Sequence, residues 1–368
     1  MMEEKEKNNL QEEQKENGET PKGEEVNTNP QEVGEQKETQ RGEDTQNQPQ
    51  GGENLLEYYR QKFAEEEKKP KKKVGYVTIV GKPNVGKSTL INALIGTKVS
   101  IVTDKPGTTR IRLLGIRNDE DSQIVFLDTP GIYREQDAME KAMIEMATTS
   151  LQDADVVLFM IEAHRPWTKQ DREIFEKYVK PLNKPVILVI NKIDKLKKAD
   201  EVLPLIEESA KYYPFAEIVP ISAKKGTNVK RLLEVIKKYL PEGEPLFPED
   251  MTVDLPLRLY VAEIVREKIL QLTHDEVPQE VAVVINEIKP GDKNPDMLVI
   301  SGEIIVSRES LKPIIIGKKG QRLREIGKRA REELQLILGK PVYLQLWVRV
   351  KEDWRDRPEL VKMFGYTL

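Results

Sequence analysis

Gly81-Lys82-Pro83-Asn84-Val85-Gly86-Lys87-Ser88 stands directly between Tyr76-Val77-Thr78-Ile79-Val80 and Thr89-Leu90-Ile91-Asn92-Ala93-Leu94-Ile95. An apolar β-rich run, a glycine-framed loop and a helical pattern follow one another without a gap. This context predicts a buried strand, a turn of exposed amides, and a helix whose N-terminus favours anions. Gly81 and Gly86 allow backbone conformations that a side chain would block. The loop from Gly81 to Ser88, with Thr89 at the helix start, supplies the candidate phosphate contacts. Lys87 is placed to reach the β- and γ-phosphates, and the Ser88 hydroxyl to hold Mg²⁺. The stretch specifies a nucleoside triphosphate site.

Three further motifs each follow an apolar run. Asp128-Thr129-Pro130-Gly131 follows Ile124-Val125-Phe126-Leu127. A carboxylate at a strand end opposite a phosphate loop suits Mg²⁺ held through water, and the Gly131 amide suits a γ-phosphate. Asn191-Lys192-Ile193-Asp194 follows Val186-Ile187-Leu188-Val189-Ile190. A carboxylate at Asp194 accepts two hydrogen bonds from guanine N1 and its exocyclic amine. Adenine has no matching donors, so the motif selects GTP over ATP. Ser222-Ala223-Lys224 follows Ile218-Val219-Pro220 and suits the back of the guanine. Lys105-Pro106-Gly107-Thr108-Thr109-Arg110, between the phosphate loop and Asp128, reads as a switch that a γ-phosphate and Mg²⁺ would order.

Composition narrows the class. The 368 residues contain no Cys and only His164 and His274, which excludes disulfides, Cys-ligated zinc and a multi-histidine metal site. No apolar run is long enough to span a bilayer and the N-terminus is polar, so the expectation is a cytoplasmic protein. The net charge of −4 conceals an asymmetry: residues 1–54 hold 15 Asp/Glu and 6 Lys/Arg, a balance of −9, leaving +5 for the rest. Such an acidic, apolar-poor segment reads as a disordered tail. Residues 55–74 read as a helical lead-in, with Leu56, Tyr59 and Phe63 at helical spacing before a Lys-rich run.

From 75 to 240, strands at 76–80, 111–117, 123–128, 155–161, 186–190 and 217–220 alternate with helices at 87–95, 138–150, 168–178, 201–211 and 227–239. That alternation predicts an α/β fold, a mostly parallel doubly wound sheet with ligands at the strand ends. Residues 241–256, with four prolines and no periodicity, read as a linker. From 257 to 355 the order is αββααβ: a helix at 260–272, strands at 280–287 and 297–306, helices at 308–315 and 321–338, and a strand at 341–350. Gly317-Lys318-Lys319-Gly320 joins the last two helices, which is the clamp geometry for a single-stranded RNA backbone. Residues 312–331 carry eight Lys/Arg against one acid, Glu325. Ile316, Lys318, Lys319, Arg322, Arg324 and Lys328 join the two glycines as candidate RNA contacts. Trp354 reads equally as a base-stacking or a core residue, and 356–368 as a C-terminal tail.

The ordered motif series, followed by αββααβ with its Gly-x-x-Gly turn, resembles the Era branch of the translation-factor-type GTPases. The likeness covers about 75–368 and extends to Tyr260–Lys268 and Lys351–Arg355. It implies a P-loop GTPase domain followed by an α+β type II KH domain. By the resemblance, Thr109, or Thr108 in its place, is the switch hydroxyl on Mg²⁺, and Lys87, Thr109 and Gly131 are the catalytic set. Asn84 matches the asparagine through which relatives hold K⁺. Gly107 stands where Era members often carry Gln. Ile132 replaces the water-orienting Gln of many small GTPases, which implies slow intrinsic hydrolysis. The implied partners are GTP/GDP with Mg²⁺, the 3′ end of small-subunit (16S) ribosomal RNA and the 30S subunit during assembly. A monomer with some peripheral contact with the cytoplasmic membrane is also implied.

Overall fold

The apolar run ahead of the phosphate loop is the centre of the protein. In a computed structural model that describes residues 71–131, 137–274 and 277–367, with Glu57 and Arg60 as exposed helical positions before them, that run is β1 (Lys72–Val80). After it come α1 (Lys87–Ile95), β2 (Leu113–Asn118), β3 (Ser122–Asp128), α2 (Ala138–Asp153), β4 (Val156–Glu162) and α3 (Lys169–Ile174). A π-helical turn at Phe175–Val179 extends α3, and β5 (Val186–Asn191), α4 (Leu203–Tyr212), β6 (Glu217–Pro220) and α5 (Val229–Tyr239) complete the alternation. The sheet order is β6-β5-β4-β1-β3-β2, with β2 antiparallel to β3 and the other neighbours parallel.

Every residue of β3, β4 and β5 is buried, as strands covered on both faces must be. On one face, Val77 and Ile79 pack with Leu90, Ile91 and Leu94 of α1 and Leu232 and Ile236 of α5. On the other, Val157, Phe159 and Ile161 pack with Leu151 of α2, Ile174 and Phe175. The sheet is doubly wound, and its strands deliver the motif residues to one edge.

Two boundaries change. Lys72, Lys73 and Val74, expected at the end of the helical lead-in, begin β1, because Lys73 pairs with Ser122 and Lys72 with Gly243. The rest of the lead-in through 70, apart from Glu57 and Arg60, and the acidic segment 1–54 lie outside the described residues. The span 241–256 is stitched to the sheet. Glu242–Gly243 (β7) pairs with β1 and Val253–Asp254 (β8) with β2. The Gln123 carboxamide oxygen also accepts from the Leu246 and Phe247 amides at 2.6 and 2.9 Å.

The second half contains α6 (Leu257–Leu272), β9 (Val281–Pro290), β10 (Leu298–Val306), α7 (Lys312–Ile316), α8 (Gln321–Leu338) and β11 (Val342–Val350). A three-stranded sheet, ordered β11-β10-β9, has β10 parallel to β11 and antiparallel to β9. Val261, Ile264, Val265 and Ile269 of α6 pack with Ile326, Ala330 and Leu334 of α8 over that sheet.

The C-terminal residues are part of the fold. Trp354 is fully buried, donates Nε1–H to the Glu280 carbonyl at 3.1 Å, and meets Phe364 edge-on. It is a core residue, and base stacking is ruled out by its burial. Leu360 and Val361 of α9 (Pro358–Met363), with Phe364 and Tyr366, join Met139, Met143 and Met146 of α2 in one cluster. Of the C-terminal tail expected at 356–368, the described part through 367 therefore closes over both halves of the unit that spans Pro70–Leu368. Phe364→Ala is expected to destabilise the fold by about 3 kcal/mol, the usual loss for a buried aromatic. A fall in the urea midpoint with an unchanged slope would show it; a midpoint equal to wild type would contradict the packing.

Candidate functional site

The phosphate loop is held by side chains that the motifs alone do not reveal. Gly86 has φ +108, and a Cβ there would collide with the Asn191 amide. That amide donates Nδ2–H to the Val85 carbonyl at 2.8 Å, while Asn191 Oδ1 accepts from the Ala223 amide at 3.0 Å. Asn191 thus ties the phosphate loop to the Ser222-Ala223-Lys224 loop rather than facing a base. Lys192 (φ +67) donates to the Asn84 carbonyl at 2.6 Å and to Glu162. Lys82 turns its side chain away from the loop, to Asp171 Oδ2 at 3.0 Å and Glu162 Oε2 at 3.5 Å. Asp171 in turn completes a capping box with Thr168 at the start of α3. Glu162 and Asp171, which no motif singles out, anchor the loop; a lone acid at the end of β4 carries no signal without its two lysine partners.

Inside the loop, the Lys87 ammonium donates to the Gly81 and Lys82 carbonyls at 3.2 and 3.3 Å. Burial lowers its pKa to about 8, against the opposing pull of Asp128. Burial likewise raises the pKa of Asp128, whose Oδ2 accepts from Ser100 Oγ while Oδ1 has no hydrogen-bond partner among the described residues. A buried ammonium facing carbonyls fits a polyphosphate, and a buried carboxylate oxygen without a donor fits a hydrated cation. Gly131 sits across the cleft: a Cβ built there would lie 3.4 Å from both Lys87 Nζ and Pro83 Cγ. Thr129 and Pro130 are buried behind it. Ile132 lies outside the described residues. An open cleft is lined by Pro83, Asn84, Lys87, Ser88, Thr109 and Gly131, among others.

The two threonines separate clearly. Thr109 Oγ1 lies 2.9 Å from Ser88 Oγ. Thr108 is buried, its Oγ1 2.6 Å from Thr103 Oγ1 and donating to the Lys105 carbonyl at 2.7 Å. Asn84 (φ +59) donates Nδ2–H to the Asp104 carbonyl at 2.8 Å, linking phosphate loop and switch. At the guanine end, Asp194 Oδ1 accepts from Ser222 Oγ at 2.5 Å, and that bond holds its carboxyl below the usual range. Ile193 is half-buried beside it and Lys224 is exposed.

The basic turn lies on the other half. Gly317 has φ 72 and ψ 174, and a Cβ there would stand 2.7 Å from Arg322 Cβ. Lys318 and Lys319 are both exposed, and Lys319 takes φ +51. Arg322 donates to the Ile314 carbonyl and Arg324 to the Lys319 carbonyl, each at 2.5 Å, so both arginines brace the turn. Further along α8, the Lys328 ammonium lies 4.0 Å from Glu332 with its side chain largely in solvent, and Ile316 is half-buried.

A family model described as a 50S ribosome-binding GTPase matches residues 76–192, and a KH domain model matches 276–355. The GTPase Era of Aquifex aeolicus is 66% identical over 300 residues, 80% of this chain and 100% of the relative. The chain belongs to the Era family of GTPases. The Era protein of Geotalea uraniireducens is 47% identical over 292 residues, 79% of this chain and 97% of its own length. Among solved structures, Era in complex with MgGDPNP and nucleotides 1506–1542 of 16S ribosomal RNA superposes with a TM-score of 0.80 at 66% identity, covering 81% of this chain and all of that one. A point variant of Aquifex aeolicus Era bound to GDP.AlF4⁻ gives the same score and identity, over 80% of this chain and all of that chain. As an Era family member the protein is a P-loop GTP hydrolase with a KH domain, the architecture expected from the motif order. Among the described residues, no helix is long and apolar enough to cross a membrane.

Proposed function

We propose that the protein is a GTP-controlled switch that binds the 3′ end of small-subunit ribosomal RNA through its KH half and assists assembly of the 30S subunit. One observation carries the reading: a GTPase cleft and a basic Gly-x-x-Gly turn are built into a single packed unit. The choice of RNA is supported by the 66% identical relative solved with 16S nucleotides 1506–1542. In this reading Ser88 and Thr109 hold Mg²⁺ directly and Asp128 holds it through water; the ion neutralises charge that develops on the transferred phosphoryl group. Lys87 and the Gly131 amide stabilise the γ-phosphate oxygens, and Asp194 reads the guanine. Lys318, Lys319 and Lys328 meet RNA phosphates around the Gly317–Gly320 turn, with Ile316 beside it and Arg322 and Arg324 bracing it. Because Asn84 Nδ2 is engaged with Asp104, its Oδ1 is the side-chain atom that would meet K⁺. The same reading gives a cytoplasmic monomer whose membrane contact, where it occurs, is peripheral.

The test is RNA affinity for wild type and Lys87→Ala with a non-hydrolysable GTP analogue, with GDP, and without nucleotide. Wild type is expected to bind roughly 5- to 150-fold more tightly with the analogue than with GDP, the usual span of allosteric coupling. Lys87→Ala should bind equally in all three conditions. Equal affinities for wild type would overturn the switch and leave an RNA-binding module with a structural nucleotide.

A further inference from the structure

The switch segment is gripped from both sides by the RNA-binding half. Arg266 of α6 is fully buried and donates Nη2–H to the Thr108 carbonyl. Glu263 fixes it, accepting from Nε at 2.7 Å and from Nη2 at 2.5 Å. Two residues further along the switch, Arg110 is buried as well. Its Nη1 donates to the Val281 carbonyl at 2.6 Å, and its Nη2 to the Pro278 and Gln279 carbonyls at 2.9 and 2.7 Å. The Arg110 guanidinium lies 5.8 Å from the ring centres of both Trp354 and Tyr366. Thr109 is thus the residue between two anchors, and its hydroxyl is the one beside Ser88.

The grip continues towards the basic turn. Glu267, the next residue of α6, accepts from the Val102 amide at 3.0 Å and from Lys98 at 2.7 Å, and Lys98 also reaches Glu333 of α8 at 2.5 Å. The helix α8 is capped at its start by Gly320. Guanidiniums this deeply buried are tolerated only with their carbonyl and carboxylate partners in place, so the switch cannot shift without disturbing α6.

We propose that Arg110 and Arg266 are positioning residues for the GTPase reaction: through them the KH half holds Thr109 at the metal, so that nucleotide state and RNA occupancy bias each other. This rests on the switch reading above. Thr109 meets the metal only in the γ-phosphate state, so displacing it should weaken Mg²⁺ use with GTP while leaving GDP held by the phosphate loop and Asp194.

The experiment uses the full chain with Arg110→Met, Arg266→Met and Arg266→Lys. For each, the Mg²⁺ concentration that half-saturates GTP hydrolysis is measured, together with GDP affinity, melting temperature and the GTP-analogue/GDP ratio of affinities for a short single-stranded RNA of the small-subunit 3′ end. Both Met variants are expected to need about tenfold more Mg²⁺ and to lose most of the RNA ratio, a change of the size usual for coupled sites. GDP affinity should stay within about twofold of wild type, and Arg266→Lys, which keeps a donor for the Thr108 carbonyl, should recover part of the loss. Where Arg266→Met does not fold, the isosteric Glu263→Gln is read in its place. Folded variants with wild-type Mg²⁺ requirement and RNA ratio would overturn the proposal. A wild type with no RNA ratio would remove the switch reading, and the Mg²⁺ requirement would then decide the role of the two arginines alone.

Discussion

Exchange of Asp194 for Asn is expected to lower GTP affinity by on the order of 10³-fold while creating affinity for xanthosine triphosphate. Asp194 is placed for this by Ser222, whose hydroxyl donates to Oδ1 at 2.5 Å and keeps the carboxyl ionised. An ionised carboxylate presents two acceptors. Guanine presents two donors to it, N1–H and the exocyclic amine. An Asn carboxamide presents one acceptor and one donor, so the guanine amine meets an N–H and one pair is lost. Xanthine carries a carbonyl where guanine carries the amine, and it matches the carboxamide at both positions. The measurement is a titration of both nucleotides against both proteins. The neighbouring framework should survive, because the Asn191 bonds to Val85 and Ala223 do not involve Asp194. Retention of GTP within tenfold of wild type, or no gain for xanthosine triphosphate, would falsify the base-reading role of Asp194.

Much of this site was legible because its chemistry is local. A phosphate loop needs a strand, a turn and a helix in consecutive residues, and α1 occupies 87–95 as expected, bounded by Gly86 and Gly96 in left-handed conformations. The same glycine punctuation at 320 and 339 fixes α8 at 321–338. What stayed hidden depends on contacts between distant segments. Glu162 and Asp171 matter because Lys82, some ninety residues before Asp171, turns into them. Gln123 captures the 241–256 span through its side chain, a bond that no periodicity announces. Leu360, Val361, Phe364 and Tyr366 are too few and too irregular to signal a core, and their partner α2 lies more than two hundred residues away. Arg110 stands inside a recognised motif, yet its partners belong to the other half of the molecule. The family resemblance favours Thr109 over Thr108 as the switch hydroxyl without a physical reason; the Thr103 and Lys105 contacts of Thr108 distinguish the two.

The paired substitution Gly317→Asp with Gly320→Asp is expected to abolish RNA binding, a loss of at least about 10²-fold, while GTP affinity stays within about twofold. Gly317 at φ 72 and ψ 174 occupies a region that L side chains essentially never adopt, and its missing Cβ is what lets Arg322 pack against the turn. An Asp there forces the turn open. Among the described residues, Gly320, at φ 75, has only the Arg324 side chain near the place a Cβ would take, so Asp finds room there but sets a carboxylate beside the phosphates. Geometry and charge thus fail together at one turn, whereas the nucleotide cleft belongs to a separate core. Gly320→Ala separates the two effects: without the charge it should bind RNA more tightly than Gly320→Asp. The salt dependence gives an independent reading. If Lys318, Lys319 and Lys328 each neutralise one phosphate, the plot of log affinity against log salt has a contribution of roughly −0.7 per contact for a single strand. Lys318→Ala with Lys319→Ala should therefore reduce the slope by about 1.4. An unchanged slope, or RNA binding that survives the double Asp variant, would place the RNA on a different face of the KH half.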